Sequence, residues 1–133
     1  MTIADFRLGE HILDDLTLPP VSRLDLIKYS GASGDYNPIH TIDEEAEKAG
    51  LPGIIAHGMW TMGSLSKLFS PFYEEGFIED YSIRFKGMVF LGDVITLQAD
   101  LYEMNDTSAK FHVRAVNQDG GEVVKGDVVF RKL

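Results

Sequence analysis

The sequence predicts an α+β fold in which an antiparallel sheet is covered by one long helix. From Tyr81 onward, apolar and polar residues alternate with the period of half-buried strands. Between Met59 and Ser70, apolar residues instead recur at helical spacing. A sheet with one apolar face needs a covering element, and this segment is the long helix available for it. With 133 residues and 44% apolar content, we expect residues 1–133 to form a single domain.

Two shorter helices are predicted before the central one. The first spans residues 22–32, because Ser22 can cap it, Asp25 takes the capping-box position, and glycines from Gly31 to Gly34 can end it. The second covers Asp43–Ala49, with acids in the first turn and Gly50 as a stop. Both lie upstream of the central helix and flank a short polar segment.

The central helix is defined by four apolar residues, Met62, Leu65, Leu68 and Phe69, and the sheet by four alternating runs. Those runs are Tyr81–Phe85, Ile95–Leu101, Phe111–Ala115 and Val123–Phe130. The residues Gln118–Gly121 tolerate positive φ and predict a hairpin between the last two strands. We therefore expect a meander of antiparallel strands.

Composition excludes several classes of chemistry. The chain has no cysteine, which excludes disulfides, thiolate zinc sites and cysteine nucleophiles. Its 12 basic and 21 acidic residues give a net charge of -9, which argues against nucleic acid as a partner. Local cations such as Arg84 and Lys86 can still serve one phosphate group. The absence of a membrane-length apolar run and of a leader pattern predicts a soluble, unprocessed, cytoplasmic protein with no membrane partner.

The segment from Ser33 to His40 concentrates groups suited to acid/base chemistry. Asp35, Asn37 and His40 lie within six residues, around Pro38. Proline fixes its own φ and favours an extended residue before it, so the turn can bring the carboxylate and the imidazole together. The alternative is ordinary turn chemistry, in which Asp and Asn side chains cap nearby backbone groups and the histidine is neutral with one backbone partner.

A second segment, Leu51–Gly58, runs extended and apolar into the predicted central helix. Gly58 then lies at a helix N-terminus, where backbone amides lack intrahelical partners and the dipole is positive. A residue without Cβ also lets a ligand oxygen approach, so this amide is an oxyanion-hole candidate. The alternative is that Gly58 only relieves crowding between helix and sheet. For His57 we favour a structural role, as a helix cap or a pocket wall.

These segments together resemble a known family. The runs Tyr29–His40 and Ala56–Met59, followed by Arg84-Phe85 and Gly92-Asp93, look like those of the MaoC-like (R)-specific enoyl thioester hydratases and dehydratases. The resemblance implies a hot-dog fold, in which an antiparallel sheet wraps a long central helix, and dimers that join two sheets edge to edge. The sequence departs from the family at Met88, where similar members often carry proline.

By position, the resemblance implies that Asp35 and His40 are the catalytic pair and that Asn37 and the Gly58 amide contact substrate. The implied reaction is reversible hydration of trans-2-enoyl thioesters to (R)-3-hydroxyacyl thioesters, carried by coenzyme A or an acyl carrier protein, without cofactor. A homodimer is expected, and a heterodimer with a non-catalytic hot-dog subunit is the alternative.

Three other functions compete with this one. They are a hot-dog acyl-CoA thioesterase, a non-catalytic acyl-thioester-binding regulator, and a metal site built from Asp35, His40 and His57. The last is disfavoured because the spacing lacks a familiar metal-ligand pattern, so no metal is expected. Acyl chain length stays open, because the sequence does not show which of Met59, Trp60, Met62 and Leu65 close the pocket.

Overall fold

The structure, a computed structural model, describes Ile3, Phe6 and residues 13–133. Within these residues the α-helices are α1 (Arg23–Ser33), α2 (Asp43–Lys48) and α3 (Gly58–Leu65). Short 3-10 segments follow at Pro38–His40 and Ser66–Phe72. The strands are β1 (Leu16–Thr17), β2 (Gly76–Phe85), β3 (Thr96–Met104), β4 (Ser108–Val116) and β5 (Glu122–Lys132).

Strands β1 to β5 form one antiparallel sheet in the order β1-β3-β4-β5-β2. Strands β3, β4 and β5 make the predicted meander, but β2 pairs with β5 at the far edge instead of with β3. The expectation of one uninterrupted meander is therefore wrong. After β2 the amides of Lys86 and Gly87 donate to the carbonyl of Val123 on β5. The chain then crosses to β3, which β4 and β5 separate from β2 in the sheet.

The buried face of the sheet follows the predicted alternation. Side chains at every second position of β3 and β4 are buried, as are most apolar residues of β5. They pack in one cluster with Leu65, Leu68 and Phe69 of the central segment. The expected arrangement of an antiparallel sheet around a central helix is confirmed.

The central segment is α-helical over a shorter range than predicted. At Ser66 the backbone amide bonds to the carbonyls of Gly63 and Ser64, so the chain tightens into a 3-10 helix that runs to Phe72. The Met62 carbonyl, which an uninterrupted α-helix would pair with the Ser66 amide, accepts instead from the hydroxyl of Tyr81 on β2. Uniform α-helix to Ser70 is therefore wrong in its second half.

Helix α1 matches its predicted boundaries and cap. The Ser22 hydroxyl accepts from the Asp25 amide at 3.1 Å, and Gly34 ends the helix with φ of 77°. The inward side of the helix carries Leu26 and Ser30, whereas Leu24 and Ile27 are exposed. This inward placement of Ser30 brings a hydroxyl toward the candidate site.

Candidate active site

The loop from Gly34 to His40 is held by its own side chains. One Asp35 carboxylate oxygen, Oδ1, accepts from the Asn37 amide at 3.1 Å. Asn37 Oδ1 accepts from the Ile39 amide at 3.2 Å and so caps the 3-10 turn that contains Pro38. The predicted turn chemistry is thus present. It occupies the Asn37 oxygen and only one of the two Asp35 oxygens.

The turn brings Asp35 and His40 together. Asp35 Oδ2 lies 3.7 Å from His40 Nε2, beyond the roughly 3.2 Å of a direct hydrogen bond. The His40 side chain is 9% exposed and that of Asp35 is 50% exposed, so the pair joins a buried imidazole to an accessible carboxylate. His40 Nδ1 lies 2.8 Å from the Ile55 carbonyl. Because a carbonyl only accepts, Nδ1 carries the hydrogen, and a neutral His40 presents the lone pair of Nε2 toward Asp35.

His57 belongs to the same cluster. Its ring stacks on that of His40 with centroids 3.9 Å apart. His57 Nε2 lies 3.2 Å from the Asp35 carbonyl and 3.1 Å from Ser30 Oγ. The bond to a carbonyl requires a hydrogen on Nε2, so His57 links α1, the Asp35 backbone and the His40 ring. It makes no side-chain cap at α3, and the expected capping role is not seen.

The environment keeps His57 uncharged near neutral pH. Burial lowers the pKa of His57 below its ordinary value of 6.5, and the neighbouring His40 lowers it further. Its Nδ1 is buried and has no hydrogen-bond partner within the part of the chain that is described.

Sequence reasoning had missed Ser30. The signal that could have found it is its spacing, since Leu26 and Ser30 lie four residues apart, as two residues on the buried side of a helix would.

Gly58 is the first residue of α3, directly after His57. Its amide is therefore one of the helix-terminal donors without an intrahelical acceptor. A Cβ at this position would lie 2.9 Å from Cε1 of Phe85 on β2. The glycine leaves room for a neighbouring ring and starts a helix beside the cluster, and its role as an oxyanion donor stays a prediction.

Asp35, His40 and His57 offer ligand-type atoms within 4.8 Å of one another. However, His40 Nδ1 and His57 Nε2 are engaged with backbone carbonyls, and the two stacked rings lie within 23° of parallel. This leaves one nitrogen of each ring and the Asp35 carboxylate for a metal ion. That the site works without metal stays a prediction.

Fold and site together define a hot-dog protein with a carboxylate-imidazole pair beside a helix N-terminus. Residues 9–122 match the family described as MaoC like domain. The chain belongs to this family, as the motifs predicted.

Individual relatives agree with this assignment. A fatty acid synthase beta subunit, TOXC of Cochliobolus carbonum, is 33% identical over 72% of this chain and 5% of its own length. A mitochondrial 3-hydroxyacyl-[acyl-carrier-protein] dehydratase of Arabidopsis thaliana is 28% identical over 68% of this chain and 54% of its own. The chain thus spans about half or less of these relatives.

Among solved structures, the R-hydratase PhaJ1 from Pseudomonas aeruginosa is 25% identical with a TM-score of 0.87. The match covers 97% of this chain and 83% of that one. The hot-dog fold is confirmed. Among the described residues, no helix has the length and apolar character needed to cross a membrane.

Proposed function

We propose that this protein hydrates trans-2-enoyl thioesters reversibly to (R)-3-hydroxyacyl thioesters. The observation that carries the proposal is the 3.7 Å separation of Asp35 Oδ2 and His40 Nε2, next to a helix that begins at Gly58. This separation suits two groups that share one water molecule better than two that bond directly. The proposal assigns catalysis to Asp35 and His40 and contact with substrate to Asn37 and Gly58.

The proton chemistry follows from the tautomer of His40. Because Nδ1 is held by the Ile55 carbonyl, His40 exchanges protons with a ligand only through Nε2. A water between the Asp35 carboxylate and Nε2 donates to both, which turns its oxygen lone pairs toward the substrate. The Asp35–His40 pair then takes one proton as the water oxygen bonds to C3, a form of assistance worth about 10²–10⁴ in rate.

The electrons of the double bond move toward the thioester oxygen as C3 is attacked. The Gly58 amide and the positive end of α3 stabilise that charge. The proton held by the pair then returns to C2 on the same face, which restores the thioester carbonyl. Water is added in full and the pair ends in its starting state, so the reaction needs no redox cofactor.

The remaining residues of the cluster position this machinery. Asn37 uses its oxygen to cap the turn, which leaves its NH₂ group to orient the water or the Asp35 carboxylate. His57 holds the backbone of Asp35 and stacks on His40, so it fixes the relative position of the catalytic groups. We assign it as a positioning residue without a proton-transfer step of its own.

A homodimer completes the proposal. Strand β2 forms an outer edge of the sheet, and Phe77 and Phe85 on it are exposed, as are the nearby Met59 and Met88. An open apolar edge favours pairing with another strand. Since Phe85 also contacts Gly58, such pairing would put the site next to the interface. Light scattering is expected to give twice the chain mass. The mass of a single chain would contradict the homodimer. Copurification with a second hot-dog chain would favour the heterodimer.

Other expectations from the sequence stay predictions. They are the single domain over residues 1–133, the cytoplasmic location, and the choice between coenzyme A and an acyl carrier protein. The carrier can be tested by comparing the same enoyl group on both.

The test of function is product analysis with crotonyl-CoA. Loss of the enoyl absorbance without release of free thiol is expected. The product is expected to be inert to an (S)-specific 3-hydroxyacyl-CoA dehydrogenase. Thiol release from crotonyl-CoA would favour the thioesterase, and saturable binding without any product would favour the non-catalytic regulator. A product oxidised by the (S)-specific enzyme would overturn the stereochemistry alone.

A further inference from the structure

A groove along the ladder between β2 and β5 concentrates positive charge. It has a volume of about 480 Å³, within the roughly 300–1,000 Å³ of small-molecule sites. Its lining includes three cations, Arg84, Lys86 and Lys125, together with Ser82 and Asp127. The whole chain has a net charge of -9, so this local charge runs against the general field of the protein. We call this feature the β2–β5 groove.

Two of the three cations lie directly opposite each other. Arg84 on β2 is in register with Lys125 on β5, and Lys125 is in turn in register with Arg114 on β4. Asp100 offsets the charge of Arg114 at 3.0 Å. Among the described residues, however, neither Arg84 nor Lys125 forms an ion pair with a carboxylate. Like charges directly opposite in a sheet are destabilising.

Other cations near the same ladder are paired with acids. Arg131 on β5 lies 2.8 Å from Glu79 on β2. Lys86, just after β2, lies 3.3 Å from Glu122 at the start of β5. The opposed Arg84 and Lys125 depart from this pattern, and an anion bound between them would offset their repulsion.

The groups in the β2–β5 groove suit a phosphate. A guanidinium presents two N–H groups in a fork that matches two phosphate oxygens, and an ammonium adds a point charge with three donors. Ser82, two residues before Arg84 on the same strand, is exposed and adds a hydroxyl donor. Asp127, opposite Ser82, already pairs with His112 at 2.7 Å.

The β2–β5 groove is distinct from the candidate active site. Side chains alternate along a strand, so Arg84 and its neighbour Phe85 point to opposite faces of the sheet. Phe85 contacts Gly58 at the start of α3. Arg84 therefore faces away from α3, and the sheet separates it from the Asp35–His40 pair.

We propose that the β2–β5 groove binds the phosphate group of a phosphate ester, with Arg84 and Lys125 as its principal contacts. The inference goes beyond the proposed hydration and does not depend on it. Such a phosphate belongs either to the nucleotide end of a coenzyme A substrate or to a free nucleotide. Both offer the same chemistry to the two cations.

The test is calorimetric titration with ADP at low ionic strength, where charge attraction is least screened. The wild type is expected to bind ADP saturably and not to bind adenosine, which lacks phosphate. Arg84→Gln and Lys125→Gln are each expected to weaken ADP binding at least about tenfold, the effect of losing one charge-assisted hydrogen bond. Lys110→Gln is the matched control, since it removes a lysine on β4 that pairs with Glu103 at 3.2 Å outside the groove.

Three results would overturn the inference. They are no saturable ADP binding by the wild type, ADP binding that Arg84→Gln and Lys125→Gln leave unchanged, and equal weakening in Lys110→Gln, which would attribute binding to net charge. Both groove substitutions lie at exposed positions and remove a repulsion, so the variants are expected to fold with a Tm no lower than that of the wild type. Circular dichroism and thermal unfolding check this.

The source of the phosphate is identified by KM for crotonyl-CoA and for crotonyl-pantetheine, which keeps the thioester but has no phosphate. A KM that rises in Arg84→Gln for crotonyl-CoA alone would support the inference and assign the phosphate to the substrate carrier. Unchanged KM values together with lost ADP binding would support a site for a separate nucleotide. A rise for both substrates would overturn a phosphate-specific role. A wild type inactive on both would count against the proposed hydration, while the ADP titration would still decide the groove.

Discussion

Replacing Gly58 by proline removes one amide hydrogen from the proposed oxyanion site while leaving the helix in place. Gly58 is the first residue of α3, and proline is favoured at that position because its missing donor has no helical acceptor. The residue before a proline must be extended, and His57 already is, with φ of -61° and ψ of 136°. The substitution therefore tests the donor with little disturbance of the fold.

The expected loss of kcat is obtained by separating two effects of the substitution, the loss of the amide hydrogen and the added Cβ. Any residue other than glycine places a Cβ 2.9 Å from Cε1 of Phe85, the far end of a ring that is 53% exposed and able to shift. Gly58→Ala carries this contact and keeps the amide hydrogen, so it is the matched control. Relative to Gly58→Ala, Gly58→Pro is expected to lose about 10²–10³ in kcat, the typical effect of one oxyanion donor.

The assay is the initial rate of crotonyl-CoA hydration at saturating substrate, with far-ultraviolet circular dichroism and unfolding curves for both variants. Equal kcat values for the two folded variants would refute the role of this amide. If kcat of both variants is also well below that of the wild type, the loss is attributed to crowding against Phe85.

Three further predictions concern stability, pH and metal. Tyr81→Phe removes the donor to the Met62 carbonyl and is expected to cost about 1 kcal/mol. For 133 residues this lowers Tm by about 4 °C. The control is Tyr102→Phe at an exposed ring, whose Tm is expected to stay near that of the wild type. Equal Tm shifts in the two variants would refute the reasoning. Since the folded-state pKa of His57 lies below 6.5, the unfolded chain binds more protons as the pH falls through that range, so stability is lost there. Urea unfolding at about pH 7.5 and about pH 5.5 is expected to show a smaller loss in His57→Gln, and an equal loss would contradict it. Hydration is expected to survive exhaustive treatment with a chelator, and loss of activity restored by zinc would revive the metal site.

Local signals were sufficient to predict most of the fold. Helix α1 begins at a serine cap and ends before a glycine, and both devices act within a few residues of the boundary. The strands were predictable because alternation reports burial on one face, as for Leu97 and Ala99. The Asp35 turn was predictable for the same reason, since Pro38 and short polar side chains define it locally.

What escaped prediction depends on contacts between distant residues. The end of α3 at Leu65, earlier than predicted, involves Tyr81, which lies 19 residues from Met62. The pairing of β2 with β5 joins Phe85 to Val124, and nothing in either strand specifies its partner. The role of His57 also needed Ser30, 27 residues away, to become visible.

The shared action of Asp35 and His40 on one water is tested most directly by comparing two carboxylate-histidine pairs in the same chain. Asp127 and His112 pair at 2.7 Å on exposed parts of β5 and β4, and serve as the control. Asp35→Asn and His40→Gln are each expected to reduce kcat for crotonyl-CoA hydration by at least about 10², while Asp127→Asn and His112→Gln leave it near the wild-type value. Near-normal turnover in folded Asp35→Asn or His40→Gln would contradict the account.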